Sequence, residues 1–196
     1  MTARLDRKMM KENALLDAAF DLFTKMGVNR TTIDEIVKQA GVAKGTFYLY
    51  FKDKYDIRDM IIIRKTSALL RDAIMDARAR SFADPIDEAA GFAGYLIDHL
   101  AQDKLLMRLI HKNLSFGLYQ KVIGDPVRGV ELRRVVEEFN RDIRCSDYSG
   151  TESSYLLFLL LEMTGSVCYS SIIYEEPAPI TQIKPMLLKT IRKILS

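Results

Sequence analysis

Lys44, Gly45, Thr46 and Tyr48 lie within five consecutive residues and carry an ammonium, a bare stretch of backbone, a hydroxyl and a phenol ring. Together these groups suit a surface that grips nucleic acid. Lys44 can neutralise a phosphate or reach guanine acceptors, and the Thr46 hydroxyl can bond a phosphate. The Tyr48 ring can meet a thymine methyl, or its hydroxyl a phosphate. Gly45, having no side chain, lets the backbone approach DNA closely. Lys44 and Tyr48 are four apart and so share a helix face with Thr46 beside them. Phe47 and Phe51, also four apart, are expected to point inward, and Lys54 can hold a second phosphate.

Such a surface needs a second helix to hold it. Thr31 and Thr32 open one, since either hydroxyl can accept a hydrogen bond from a backbone N–H of the first turn. Ile33, Ile36, Val37 and Ala40 then share a face. Gly41 stands where a helix ends in a left-handed residue, and Val42 points back to the first helix. The pattern predicts a helix-turn-helix whose second helix enters the major groove. Capped helix pairs of this kind also occur in all-α proteins that bind no DNA, so an all-helical structural or adaptor protein is the alternative.

From Leu15 to Ile57 the chain resembles the N-terminal domain of the TetR/AcrR family of bacterial transcriptional regulators. The match runs through LLDAAFDLFTKMGVNRTTIDEIVKQAGVAKGTFYLYFKDK, with the first-helix pattern AA..LF...G followed by TT...I...AGV.KGT.Y.YF..K. The resemblance implies DNA contacts at Thr32, Lys44, Gly45, Thr46, Tyr48, Tyr50 and Lys54. Ala43 departs from the serine common in the family, which removes a cap or phosphate bond at that point. Tyr50 stands where histidine is also common, and either ring can meet the DNA backbone.

Composition agrees with a small two-domain regulator. The 196 residues are 48% hydrophobic, with only five Pro and ten Gly, which reads as all-α with room for a proper core. The net charge of +3 is modest but unevenly spread. Residues 1–81 carry 16 basic against 11 acidic side chains, and residues 82–196 carry 13 against 15. The basic excess accompanies the helix pair. Cys145 and Cys168 lack CxxC or metal-type spacing, and no apolar N-terminal run suggests a signal peptide, so a cytoplasmic protein with reduced thiols is expected. The longest apolar run, Tyr155–Leu161, is too short to span a bilayer. No GxSxG, Walker loop, GxGxxG or HExxH is present, so no catalytic residues, cofactor or metal site are expected.

The expected architecture is an N-terminal three-helix DNA-binding domain over residues 1–52, on which the first turn of a fourth helix packs to about residue 60. A connecting helix follows over 53–80, then a helical ligand-binding and dimerisation domain over 81–196. The arm before about Lys8 reads as loose, and a first helix runs from about Arg7 to Met26 with Leu15, Ala18, Ala19, Leu22 and Phe23 inward. Asp84-Pro85 starts a helix to about Gln102, and Asp103 caps another to about Asn113. Ser115 to Pro126 reads as a broken helix, Pro126 to about Arg144 as a helix, and Ser146 to Gly150 as a loop. Thr151 to Tyr174 is apolar on nearly every face, and after Pro177-Ala178-Pro179 a stripe of Ile183, Met186, Leu187, Ile191, Ile194 and Leu195 follows. A water-soluble helix of this kind must be covered on all sides. The simplest cover is a second copy, with Leu156, Leu160, Met163, Val167, Ile183, Leu187, Ile191 and Ile194 in a four-helix dimer interface. Gly165 and Ser166 would let a partner helix come close.

The resemblance further implies an inducer pocket in the C-terminal domain. Phe92, Tyr95 and His99 share one helix face, and Met107, His111, Phe116, Tyr119, Phe158, Met163 and Tyr169 could join them around an apolar cavity. The implied partners are double-stranded operator DNA, a second copy of the chain and a small-molecule inducer, with no membrane. The implied mechanism is repression of a palindromic operator, relieved when ligand tilts the fourth helix and changes the spacing of the recognition helices.

Overall fold

The computed structural model describes residues 2–113, 133, 134, 137 and 150–196, and all regular structure among them is helical. The elements are α1 (Thr2–Met26), α2 (Ile33–Ala40), α3 (Lys44–Tyr48), α4 (Lys54–Ala79), α5 (Pro85–Gln102) and α6 (Lys104–Asn113). Then come α7 (Gly150–Tyr169), a π-helical turn (Ser170–Tyr174) and α8 (Ile180–Leu195). The chain divides into two compact units, Met1–Arg64 and Lys65–Ser196, and the division falls inside α4. Cys145, Phe116, Tyr119 and the elements expected between Ser115 and Gly150 lie outside the described residues.

In the first unit, α1 packs on α2 and α2 on α3. Leu15, Leu16, Ala18, Ala19 and Phe23 are buried on α1, against Ile36 and Val37 of α2 and Phe47 of α3 in the same core. Leu22, expected inward, is only half-buried. Helix α1 begins at Thr2, so the arm expected to be loose is helical. Gly27 ends α1 at φ +83, with its N–H on the Phe23 carbonyl. Here a left-handed residue closes the helix, and glycine adopts that conformation without a Cβ clash. At the far end of the unit, the Arg64 guanidinium of α4 donates to Glu12 and Asn13 of α1 at 2.8 and 2.7 Å. Asp53 accepts from the N–H groups of Tyr55 and Asp56, satisfying donors that the first turn of α4 leaves open.

In the second unit, Asp84 caps α5 through a 2.8 Å bond from the Ile86 N–H, with Pro85 at the first helical position. Asp103 accepts from the Leu106 N–H at the start of α6. The core joins Ala93 and Ile97 of α5, Met107 of α6, Leu156, Leu160 and Cys168 of α7, Ile172 of the π turn, and Leu187, Ile191 and Leu195 of α8. Ion pairs Lys184–Asp98 and Arg192–Asp87 tie α8 to α5 outside this core. Among the described residues, no helix is long and apolar enough to cross a membrane.

Candidate nucleic-acid interface

The helix pair is built from its caps outward. Thr32 is the N-cap of α2: its hydroxyl oxygen accepts from the Glu35 N–H at 3.3 Å, and the Glu35 carboxylate accepts from the Thr32 N–H at 2.8 Å. This reciprocal arrangement satisfies two donors that a helix start otherwise leaves open. The Thr32 hydroxyl also donates to the same carboxylate. Bonds to its charged form hold the Glu35 carboxyl below its ordinary value, the Thr32 backbone N–H contributing most. Thr31 plays a different part: fully buried, it donates from its hydroxyl to the Gly27 carbonyl and closes the α1–α2 loop. Gly41 ends α2 at φ +66, and the Val42 N–H turns back onto the Val37 carbonyl at 3.0 Å.

Helix α3 is five residues long and is held by the inward ring of Phe47 and by Phe51 just beyond its end. Phe47 is fully buried and Phe51 almost so, their centroids 5.7 Å apart. Burial of this order contributes about 1.5–3 kcal/mol per ring, far more than so short a helix could gain from its own hydrogen bonds. With Phe47 inside, Lys44, Gly45 and Tyr48 remain exposed. Tyr48 is 54% exposed and rests edge-on against Phe47, 5.5 Å between centroids. Thr46 is half-buried beside them. A Cβ built on Gly45 would meet no atom of the chain within 4 Å. Ala43 caps α3 without a side-chain bond, as expected where serine is missing.

Lys44 is not free. Its ammonium contacts both carboxylate oxygens of Asp34 on α2, at 2.8 and 3.1 Å. The hydrogen bond to Asp34, and then its charge, raise the Lys44 pKa above the ordinary lysine value. Lys54 is committed elsewhere: its ammonium donates to the carbonyls of Asn29 and Thr31, at 2.9 and 3.1 Å, and lies 5.6 Å from the Tyr55 ring centroid. That places it as a clamp on the loop that delivers Thr32. The Tyr50 hydroxyl donates to the Lys8 carbonyl at 3.1 Å, fastening the recognition turn to α1.

The seven residues expected at DNA therefore separate. Lys44, Gly45 and Tyr48 present an outer surface with Thr46 at its edge, whereas Thr32, Tyr50 and Lys54 have donors engaged inside the unit. Asp34 and Glu35 had no place in the sequence-based site. Glu35 was legible, because Thr followed three residues later by Glu is a capping-box signature. Asp34 was not, since its pairing with Lys44 crosses the turn.

Candidate residues in the second unit form two stacked pairs. Tyr95 and His99 stack along α5 at 6.1 Å, while His111 of α6 stacks on Tyr169 at 3.8 Å with the planes 12° apart. The Tyr169 phenol also bonds Tyr174, which raises its pKa. Phe92, Phe158 and Met163 are half-buried, and Met107 belongs to the apolar core. Among the described residues no group of His, Cys, Asp and Glu is placed to hold a metal.

The residues expected at the dimer face differ in how far their own chain covers them. Leu156, Leu160, Leu187 and Ile191 are all under a tenth exposed because their own chain covers them, and Met163, Val167 and Ile194 pack against the same core. Ile183 is half-buried. A partner can bury only what is still open. Among the described residues, the large apolar side chains most open on α7 are Tyr155 and Leu159, each 61% exposed, followed by Leu161, and on α8 it is Met186, which is 64% exposed and not part of the inward stripe. A helix apolar on nearly every face does not show in its sequence which face its own chain covers.

Residues 15–60 match the family model "Bacterial regulatory proteins, tetR family". The HTH-type transcriptional regulator YhgD of Bacillus subtilis is 42% identical over 163 residues, covering 81% of each chain. The fatty acid metabolism regulator protein of the same species is 33% identical over 79 residues, and the match spans 40% of this chain and 41% of that one. In three dimensions the chain is similar to a transcriptional regulator FadR from B. subtilis, whose crystal structure holds stearoyl-CoA. The TM-score is 0.67 at 19% identity, over 91% of this chain and 96% of that one.

Proposed function

The chain belongs to the TetR family of bacterial regulatory proteins, whose members are non-enzymatic DNA-binding transcription regulators, and from that premise we propose that it represses transcription as a homodimer on a palindromic operator. One observation carries the DNA-binding part: α3 buries Phe47 and turns Lys44, Gly45 and Tyr48 outward on a five-residue helix. Lys44 and Tyr48 stay more than half exposed even though one pairs with Asp34 and the other rests on Phe47, and Gly45 faces open space, which is what a surface kept for a partner looks like. Lys44 and Thr46 supply donors to phosphate or base edges, and the Tyr48 ring supplies an apolar contact with a polar tip. One such helix makes few contacts, so two related by symmetry would read half-sites one DNA turn, ~34 Å, apart.

The second copy would dock on the outward faces of α7 and α8, around Tyr155, Leu159 and Met186. Gly165, around which a Cβ meets nothing within 4 Å, leaves room on α7 for a close helix. The connecting helix α4 would carry the spacing change between the units when an inducer binds the second one. Long-chain acyl-CoA is the first inducer class to try, because the structurally similar B. subtilis regulator holds stearoyl-CoA and a curated relative regulates fatty acid metabolism. The stacked pairs Tyr95–His99 and His111–Tyr169 are the polar groups proposed to orient it.

The test begins with selection of duplexes from random-sequence DNA by the full chain. Enrichment of an inverted repeat, lost in Lys44→Ala and Tyr48→Ala with melting unchanged, is the expected result. Enrichment of a single unpaired half-site would remove the dimer, and no enrichment at all would return the chain to a structural or adaptor role. Leu159→Glu combined with Met186→Glu should leave a folded monomer in sedimentation; a persistent dimer would move the interface elsewhere.

A further inference from the structure

Asp34 occupies the Lys44 ammonium with the kind of anionic oxygens that a DNA phosphate would offer it. It lies at the second position of α2, outside the core, with its side chain 70% exposed, and it offers two anionic oxygens to the Lys44 ammonium at 2.8 and 3.1 Å. A phosphate group presents the same donor with the same kind of partner. Lys44 is itself 54% exposed on the outward face of α3, so both members of the pair lie on the side proposed to meet DNA. An exposed ion pair of this kind is weak and readily exchanged.

We propose that Asp34 is an intramolecular competitor that holds Lys44 back from DNA and so lowers the affinity for every duplex. This rests on the DNA-binding reading above. A Lys44 that leaves Asp34 gains one phosphate or base acceptor and exposes one carboxylate to the polyanion, so the exchange returns less than an unpaired lysine would gain. The cost of leaving Asp34 is the same on any duplex from which Lys44 gains more than the ion pair is worth, so the carboxylate sets affinity and not discrimination. The sequence separation of ten residues hides the pair, and only the turn at Gly41 brings the two side chains together.

Binding is measured by fluorescence anisotropy with full-length protein on two probes, the duplex enriched by the wild-type chain and a mixed-sequence duplex, between about 50 and 200 mM salt. Asp34→Asn is expected to tighten mixed-sequence binding about three- to tenfold at low salt, with a steeper salt dependence by roughly one unit per half-site. The enriched duplex should gain at least as much, so the ratio of the two affinities does not fall. Asp34→Glu, which keeps the charge within reach, should restore the suppression. In a Lys44→Met background, Asp34→Asn should have little effect on mixed-sequence binding. An equal gain with and without Lys44 would mean simple charge repulsion and overturn the competition, as would a gain confined to the mixed-sequence duplex. If wild-type protein enriches a duplex and Asp34→Asn changes nothing, this inference fails while the DNA-binding reading stands. If wild-type protein retains no duplex, both fail.

Discussion

Replacing Gly45 with alanine should move folding and DNA binding in opposite directions. Gly45 lies inside α3, is exposed, and has open space where a Cβ would project. Glycine inside a helix costs roughly 0.5–1 kcal/mol relative to alanine through backbone entropy. With no clash to set against that, Gly45→Ala should raise stability by about the lower half of this range, because α3 is only five residues long. For a chain of this size that is about 1–2 °C in the melting temperature of the first unit. At the DNA the same methyl would occupy the space through which the backbone approaches, holding the recognition helix off the groove by about the thickness of a methyl contact. The loss should resemble a disrupted base contact, about 1–3 kcal/mol or roughly ten- to hundredfold per half-site. Thermal denaturation and anisotropy on an enriched duplex measure both quantities on one sample. Wild-type affinity in the variant would refute the close approach, and a lowered melting temperature would refute the reading of open space around Gly45.

Lys54→Met should destabilise the first unit by about 1 kcal/mol, since two loop carbonyls lose a charged donor at a partly solvated site. An unchanged urea midpoint together with a shallower salt dependence of DNA binding would return Lys54 to a phosphate contact. The Glu35 carboxyl titrates below its ordinary value of 4.5. Its contribution is therefore fully present above that value and lost as pH falls through the depressed folded value. Melting of the first unit should fall across about pH 5 to 3 less steeply in Glu35→Gln than in wild type; parallel curves would remove the capping box as the cause. Cys168 is fully buried, and burial pushes its thiol up to about 12. In a Cys145→Ser variant, thiol reagents should label Cys168 only as fast as the chain unfolds, and rapid labelling of native protein would contradict its place in the core.

Much of the first unit was legible because its signals are local. The capped start of α2, Gly41 in the left-handed region and the four-residue spacing of Phe47 and Phe51 each constrain backbone within a turn or two, and all appear in the structure. The ends of α5 were equally local, set by Asp84-Pro85 and Asp103. The start of α1 was not, because the polar segment before Arg7 has no periodic apolar stripe to announce a helix.

The sequence alone determined which residues have to leave the core. Charge keeps Lys44 at the surface while Phe47 and Phe51 seek the interior, a choice that side-chain chemistry makes without tertiary information. It also determined family membership, carried by a multi-point motif that helical geometry spaces. Partners distant along the chain were decided only by the tertiary structure. Lys54 reaches back to Asn29 and Thr31, Tyr50 to Lys8, and Lys44 across the turn to Asp34. It also chose which apolar face of α7 the chain fills for itself, leaving Leu159 and Tyr155 open while covering Leu156 and Leu160. The physical reason is common to these cases. Periodicity specifies which side chains lie together on one helix, but the occupant of the space opposite is set by other helices folding against it.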